Sequence, residues 1–200
     1  MLTVNIAAAE AVAERSAPYL APIEFSEQVI TPAMDRVGAA WEAGTVALSQ
    51  VYMAGRICED LVDARLPLGA PERKTRPRIA VAALEDYHGL GKRIVMSVLR
   101  AAGYDPLDYG EGVPADDAVA WAVRDDLDAL LLSALMLRSA LRVERVVAGL
   151  REAGSRIKVI VGGAPFRMDR DLWQVVGADA MGAIASDALG LVRGVGEWSA

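Results

Sequence analysis

Ile79-Ala80-Val81-Ala82-Ala83-Leu84, running on into Glu85-Asp86-Tyr87-His88-Gly89-Leu90-Gly91-Lys92, is the stretch on which the reading of this chain turns. Six consecutive apolar residues stopped by a polar loop are what a strand buried on both faces requires, because such a strand has no solvent side for polar residues. The helical pattern that follows begins near Gly91. The rhythm repeats downstream, with apolar segments at Tyr104–Tyr109, Asp128–Ser133, Lys158–Val161 and Ala178–Met181, and helices beginning near Ala115, Ser139, Asp169 and Ser186. This alternation predicts an α/β fold with a five-stranded parallel sheet covered on both faces. Ligands of such sheets sit outside the carboxyl ends of the strands, so the loops that follow the strands are where chemistry is to be sought.

Upstream the period changes. Segments around Asn5–Arg15, Phe25–Trp41 and Val46–Arg65 carry apolar residues at helical spacing, as in the series Ile30, Met34, Val37, Trp41, and predict a small helical bundle. Pro32 falls inside the second pattern and is expected to start a helix there or to kink one. Leu66-Pro-Leu-Gly-Ala-Pro-Glu-Arg-Lys-Thr-Arg-Pro77 concentrates proline, glycine and charge as an interdomain linker does. The expected division is a helical domain over 1–70, a linker over 71–77 and an α/β domain over 78–200.

The 200 residues are 54% apolar with 18 Gly and 9 Pro, an ordinary globular composition. A net charge of −6 lacks the basic footprint that phosphate neutralisation demands, so nucleic acid is not an expected partner. No apolar run reaches the roughly 20 residues that span a bilayer, and Glu10 and Glu14 interrupt the start where a signal peptide would stay apolar. The expectation is a cytoplasmic protein with no membrane partner. Cys58 is the single cysteine and has no partner for an internal disulfide, which agrees with a reducing compartment. In its helical setting it reads as core rather than as a nucleophile.

The loop after the first strand holds the only histidine, His88. An imidazole there suits a metal ligand, with Asp86 placed to accept a hydrogen bond from the other ring nitrogen, fix the tautomer and raise basicity. A zinc or iron site built by the protein needs three or four ligands, and no second histidine or cysteine cluster supplies them. A metal held here must arrive already coordinated, as in a macrocycle. The loop after the third strand is Ser133-Ala134-Leu135-Met136-Leu137-Arg138-Ser139, and the one after the fourth is Val161-Gly162-Gly163-Ala164-Pro165. Glycines directly after a strand let a ligand approach the backbone, although a Gly-Gly pair taken alone also suits a plain tight turn.

Asp86-x-His88-x-x-Gly91, Ser133-x-Leu135 and Gly162-Gly163, in that order and each after a strand, resemble the signature of the B12-binding domain family, which includes methionine synthase and the corrinoid proteins of methanogens and acetogens. Gly91–Val95, Gly110–Pro114, and Val161–Pro165 followed by Gly177-Ala178-Asp179 are similar as well. Ile30–Gly44 resembles the helical cap that precedes the domain in those proteins, so the resemblance covers essentially the whole chain.

The resemblance implies an N-terminal helical bundle cap followed by a Rossmann-like (flavodoxin-like) sheet domain that holds cobalamin, as methylcobalamin or a related corrinoid. It implies that His88 is the axial ligand of cobalt, Asp86 its orienting carboxylate and Ser139 the third member of that relay. Glu85, Tyr87, Gly89 and Gly91 complete the loop beneath the corrin. Ser133, Leu135 and Leu137 would line the pocket for the nucleotide tail, with Gly162 and Gly163 leaving room for it. Gly182 would face the dimethylbenzimidazole end, although Ala183–Asp187 departs from the family's usual spacing. Trp41 and Leu48 match residues that cover the upper face, where ordinary helix packing is the other account of Trp41.

The implied function is a corrinoid protein carrying methyl groups on cobalt between partner methyltransferases, with a reductive activase as a further partner. Nothing in the chain is large enough to bind the donor or acceptor, so the expected role is a methyl-carrier component rather than a complete enzyme. A B12-dependent sensor or regulator, responsive to light or cobalamin, is the alternative. Light-sensing relatives carry Glu-His in the cap some ten residues after the Trp, where this chain has Val51-Tyr52.

Overall fold

The structure is a computed structural model that describes residues 5–65 and 77–195. The contacts divide the chain into two units, Met1–Thr75 with Ser97–Asp105, and Arg76–Met96 with Pro106–Ala200.

In the first unit, α1 (Ile6–Ser16) is capped by Asn5, whose side chain accepts from the Ala8 amide at 3.0 Å. The expected single helix over Phe25–Trp41 is broken into α2 (Pro22–Phe25), a π-helical turn over Ser26–Ile30, and α3 (Thr31–Glu42). Pro32 lies in the first turn of α3, where its missing N–H costs nothing, so it starts a helix as expected. Then comes α4 (Leu48–Asp63), with Phe25, Ile30, Met34, Val51 and Val62 buried in this unit. Arg65 stacks over the Phe25 ring at 4.3 Å and donates to the Leu20 carbonyl at 2.8 Å, tying the end of the last helix to the first loop.

The expected linker at 71–77 lies, apart from Pro77, outside the described residues. Ser97–Asp105 groups with the helical unit rather than with the α/β residues around it. Gly55 on α4 supplies a reason: a Cβ there would stand 3.4 Å from the Cβ of Ser97, so two small residues let these segments pack closely.

The second unit is built on β1 (Ile79–Leu84), all six of whose residues are buried, as a strand covered on both faces must be. α5 (Leu90–Ala101) leads away from it, and there follow β2 (Leu107–Val113), α6 (Ala115–Arg124), β3 (Ala129–Ser133), α7 (Leu137–Leu141), α8 (Val143–Glu152), β4 (Lys158–Gly162), α9 (Ala164–Met168), α10 (Leu172–Val175), β5 (Ala180–Gly182) and α11 (Asp187–Gly194). The five strands are all parallel and lie in the order β2-β1-β3-β4-β5. One core cluster runs from Ala80, Ala82 and Leu84 through Leu130 and Leu132 to Val159, Val161 and Phe166. The predicted α/β class with a five-stranded parallel sheet is the fold observed.

Two boundaries differ from the sequence reading for local reasons. The second strand starts at Leu107 instead of Tyr104, because Tyr104 is buried and its amide closes the end of α5 on the Leu99 carbonyl at 3.1 Å. Beyond Tyr109 the strand continues to Val113 through two register slips against β1 that alternation does not reveal. The helix expected near Asp169 is instead two short ones, since Pro165 starts α9 directly after β4. Asp169 then accepts the Asp171 amide at 3.0 Å as the turn into α10. Among the described residues, no helix is long and apolar enough to cross a membrane.

Candidate functional site

In the order β2-β1-β3-β4-β5, the connections leaving β1 and β3 run to opposite sides, which opens a crevice at the carboxyl ends of these two strands. The loop after β1 carries Glu85 to Gly89 and the loop after β3 carries Ala134 to Met136, and Asp86 joins them. Its side chain is 2% exposed. Oδ2 accepts the Leu135 amide at 2.8 Å and the Met136 amide at 3.1 Å, while Oδ1 accepts the His88 amide at 3.0 Å and lies 2.5 Å from His88 Nδ1. Burial by itself would raise the Asp86 pKa. The hydrogen bonds from the His88 amide and ring and from the Leu135 and Met136 amides outweigh that and hold it at about 2. The carboxylate is therefore ionised throughout the physiological range, and because it only accepts, Nδ1 carries the imidazole proton. The His88 side chain is 59% exposed, and its Nε2 makes no hydrogen bond to a described residue, so with Nδ1 held by Asp86 it is Nε2 that is left for a ligand.

Exposed apolar side chains and glycine backbone lie in the neighbouring loops. Leu135, Met136 and Leu137 are all about half exposed, and Ser133 Oγ has no partner among the described residues. Gly163 has φ +120, and a Cβ there would run into the carbonyl of Ala134. At Gly162 a Cβ would meet the Gly182 carbonyl at 3.2 Å, so the ends of β4 and β5 touch through bare backbone. The turn after Gly182 is closed by Asp187, which accepts the Ala183 and Ile184 amides at 2.8 and 3.1 Å. Among the described residues, no group of three or more His, Cys, Asp and Glu side chains is placed to hold a metal ion.

The structure thus brings together Asp86, His88, Ser133, Leu135, Leu137, Gly162, Gly163 and Gly182 on the carboxyl side of the sheet. Gly89 is buried immediately before the start of α5; a Cβ on Gly91 would lie 3.0 Å from Ser133 Oγ. Tyr87 is exposed beside the backbone of Gly112. Two of the assigned residues make bonds that the sequence did not indicate. Ser139 is buried, but its hydroxyl donates to the Glu85 carbonyl at 3.1 Å and not to Asp86, whose oxygens already take four bonds. Glu85 turns its carboxylate to Arg142 at 3.3 Å, so that side chain is already engaged within the protein. Trp41, half-buried near the end of α3, and Leu48, exposed at the start of α4, belong to the helical unit. The reading of the sequence missed the Met136 amide and Arg142, the first because a backbone donor has no side-chain signature, the second because nothing periodic links it to Glu85.

Residues 77–190 match the model of the B12 binding domain, and residues 3–66 match a second model described in the same words. The chain belongs to the B12-binding domain family. Its cofactor is accordingly a cobalamin-type corrinoid, and the site can be tested against that group. A large, flat, largely apolar macrocycle needs exposed aliphatic contacts, a nucleotide tail needs backbone free of side chains, and a coordinated metal needs a single nitrogen donor of fixed tautomer. Leu135 and Leu137, the Gly162-Gly163 turn and the His88 Nε2 supply those three things, so the residues fit the group. Among the relatives of this B12-binding chain, "Dimethylamine corrinoid protein 3" of Methanosarcina acetivorans is 35% identical over 88% of this chain and 84% of that protein. A cobalamin-binding protein from Desulfitobacterium hafniense superposes with a TM-score of 0.80 at 25% identity, covering 96% of this chain and 93% of the other. The methanol:cobalamin methyltransferase complex from Methanosarcina barkeri contains a chain that superposes with a TM-score of 0.64 at 25% identity, over 87% of this chain and 67% of that one.

Proposed function

We propose that this chain carries methyl groups between partner methyltransferases on a corrinoid whose cobalt His88 would hold through its imidazole. One observation carries the assignment of His88 to cobalt: the sole histidine stands exposed at the crevice with Nδ1 bound to a buried, ionised Asp86 and Nε2 without a hydrogen bond to any described residue. When bound, the corrinoid supplies a cobalt centre able to accept a methyl group and pass it on. The carboxylate keeps the imidazole in one tautomer and one orientation and raises its basicity as a donor. Leu135 and Leu137 would support the macrocycle, while Ser133 Oγ and the backbone at Gly162, Gly163 and Gly182 would receive the tail. Trp41 and Leu48 would be the residues that exclude water from the reacting group.

The names of the relatives support this reading, since they are corrinoid proteins of methylamine systems and a chain in a methanol:cobalamin methyltransferase complex. The implied partners are methyltransferases and a reductive activase, met in the cytoplasm. The single thiol, Cys58, suits a reducing compartment and is held inert by burial, which pushes its pKa up to about 11.

The test is the visible spectrum of the chain loaded with hydroxocobalamin, compared with that of His88→Ala. The variant is expected to shift wholly to the water-ligated form that lacks a nitrogen base. An unchanged spectrum would overturn the axial role.

A further inference from the structure

Glu85, immediately before the carboxylate that orients the histidine, has a left-handed backbone at φ 44, where a side chain is disfavoured. All its polar groups are engaged in holding that turn. The amide donates to the Val113 carbonyl at 3.0 Å, the carbonyl accepts from the buried Ser139 hydroxyl at 3.1 Å, and the carboxylate meets Arg142 Nε at 3.3 Å. Arg142 stands at the junction of α7 and α8, and Ser139 lies within α7. The residues just before α7, Leu135 and Met136, are those whose amides bind Asp86. Two connections therefore run in parallel from this segment to the His88 loop, one through Glu85 and one through Asp86.

We propose that Glu85 is a positioning residue, which with Ser139 and Arg142 fastens the backbone turn aiming Asp86, so that the α7–α8 segment and the His88 loop are held as one piece. The proposal deepens the axial reading and, in its second readout, rests on it.

Glu85→Gln and Arg142→Gln each remove the ion pair, and Glu85→Gln leaves a side chain of the same size at the left-handed position. The Glu85→Arg, Arg142→Glu double variant restores the pair with its charges reversed. The first readout is hydrogen exchange of the Leu135 and Met136 amides in the cofactor-free chain. The second is the electron spin resonance of the reduced, corrinoid-loaded chain, where an axial imidazole nitrogen splits the cobalt signal. Each single variant is expected to speed the exchange by about two- to five-fold, as befits a half-exposed ion pair. It should lower the ratio of nitrogen-ligated to unligated cobalt by a similar factor. The combined Glu85→Gln, Arg142→Gln variant should be no worse than either single, and the charge-reversed pair should recover most of the loss. Exchange unchanged in the singles, or additive losses with no recovery on reversal, would overturn the clamp. If wild type and His88→Ala show the same cobalt signal, the axial reading fails instead, and the exchange measurement still decides the role of Glu85.

Discussion

At the amino ends of the strands, Arg78 N–H donates to Asp128 at 2.6 Å, Val159 N–H and Lys158 Nζ both bind Asp179, at 2.8 and 3.1 Å, and Tyr109 OH joins Asp125 at 2.8 Å. At the carboxyl ends, Asp86 likewise gathers neighbouring amides, yet His88 Nε2 and Ser133 Oγ have no partner among the described residues. The same chemistry, a carboxylate accepting backbone N–H, closes turns at one end and opens a site at the other. At the first end these bonds join strands and turns of the sheet to one another. A left-handed non-glycine residue stands at each end, Asp126 (φ 50) before β3 and Glu85 (φ 44) after β1, so strain does not separate the two ends; the groups left unpartnered among the described residues at the second do.

If that contrast is right, the carboxyl end should tolerate change least. Gly163→Ala is expected to have the largest effect, because the new Cβ would meet the Ala134 backbone, which cannot rotate away, at a φ of +120 that disfavours any side chain. Chemical denaturation of the cofactor-free chain should show a loss of about 3 kcal/mol or more. A loss below about 1 kcal/mol would mean that the loops after β3 and β4 part easily, and the contrast would be broken.

Asp86→Asn comes next. An amide group cannot accept on both sides, so at least one buried amide loses its partner, at about 2 kcal/mol. Its pH dependence sharpens the test. Asp86 has a folded-state pKa of about 2, below the unfolded value near 3.9, so its stabilisation is fully present above about pH 4 and is lost as the pH falls towards 2. The gap between wild type and Asp86→Asn should be constant near neutrality and close over that window. A gap independent of pH would show that the carboxylate's charge contributes nothing.

The strands that the sequence made legible are those with unbroken apolar runs. β1, β3 and β4 are buried on both faces and appear within a residue or so of where the pattern put them. β2 was displaced because its bulged register against β1 is a property of the pair and not of either strand alone. The single histidine, its aspartate and the glycine pair could be read because each has a side-chain type, or the lack of one, that chemistry requires. Ser139 could not: whether its hydroxyl reaches Asp86 or the Glu85 carbonyl depends on how α7 sits, and spacing alone does not encode that. The π-helical turn over Ser26–Ile30 was likewise invisible, since apolar residues at helical spacing run straight through it.

The smaller effects decide whether the two ends differ in kind or only in degree. Gly154, the left-handed cap after α8 at φ +68, has nothing within 4 Å of a Cβ, so Gly154→Ala should cost only about 1 kcal/mol, the backbone price without the collision. His88→Ala should cost least of all. Its ring is 59% exposed, and removing it leaves Asp86 with three backbone amides, so denaturation of the cofactor-free chain should change by no more than about 0.5 kcal/mol. Yet the same substitution is expected to abolish nitrogen ligation of the cofactor. A residue that the fold can lose and the ligand cannot is one held for binding; a stability loss above about 2 kcal/mol would place His88 with the turn-closing groups of the amino end and remove the distinction.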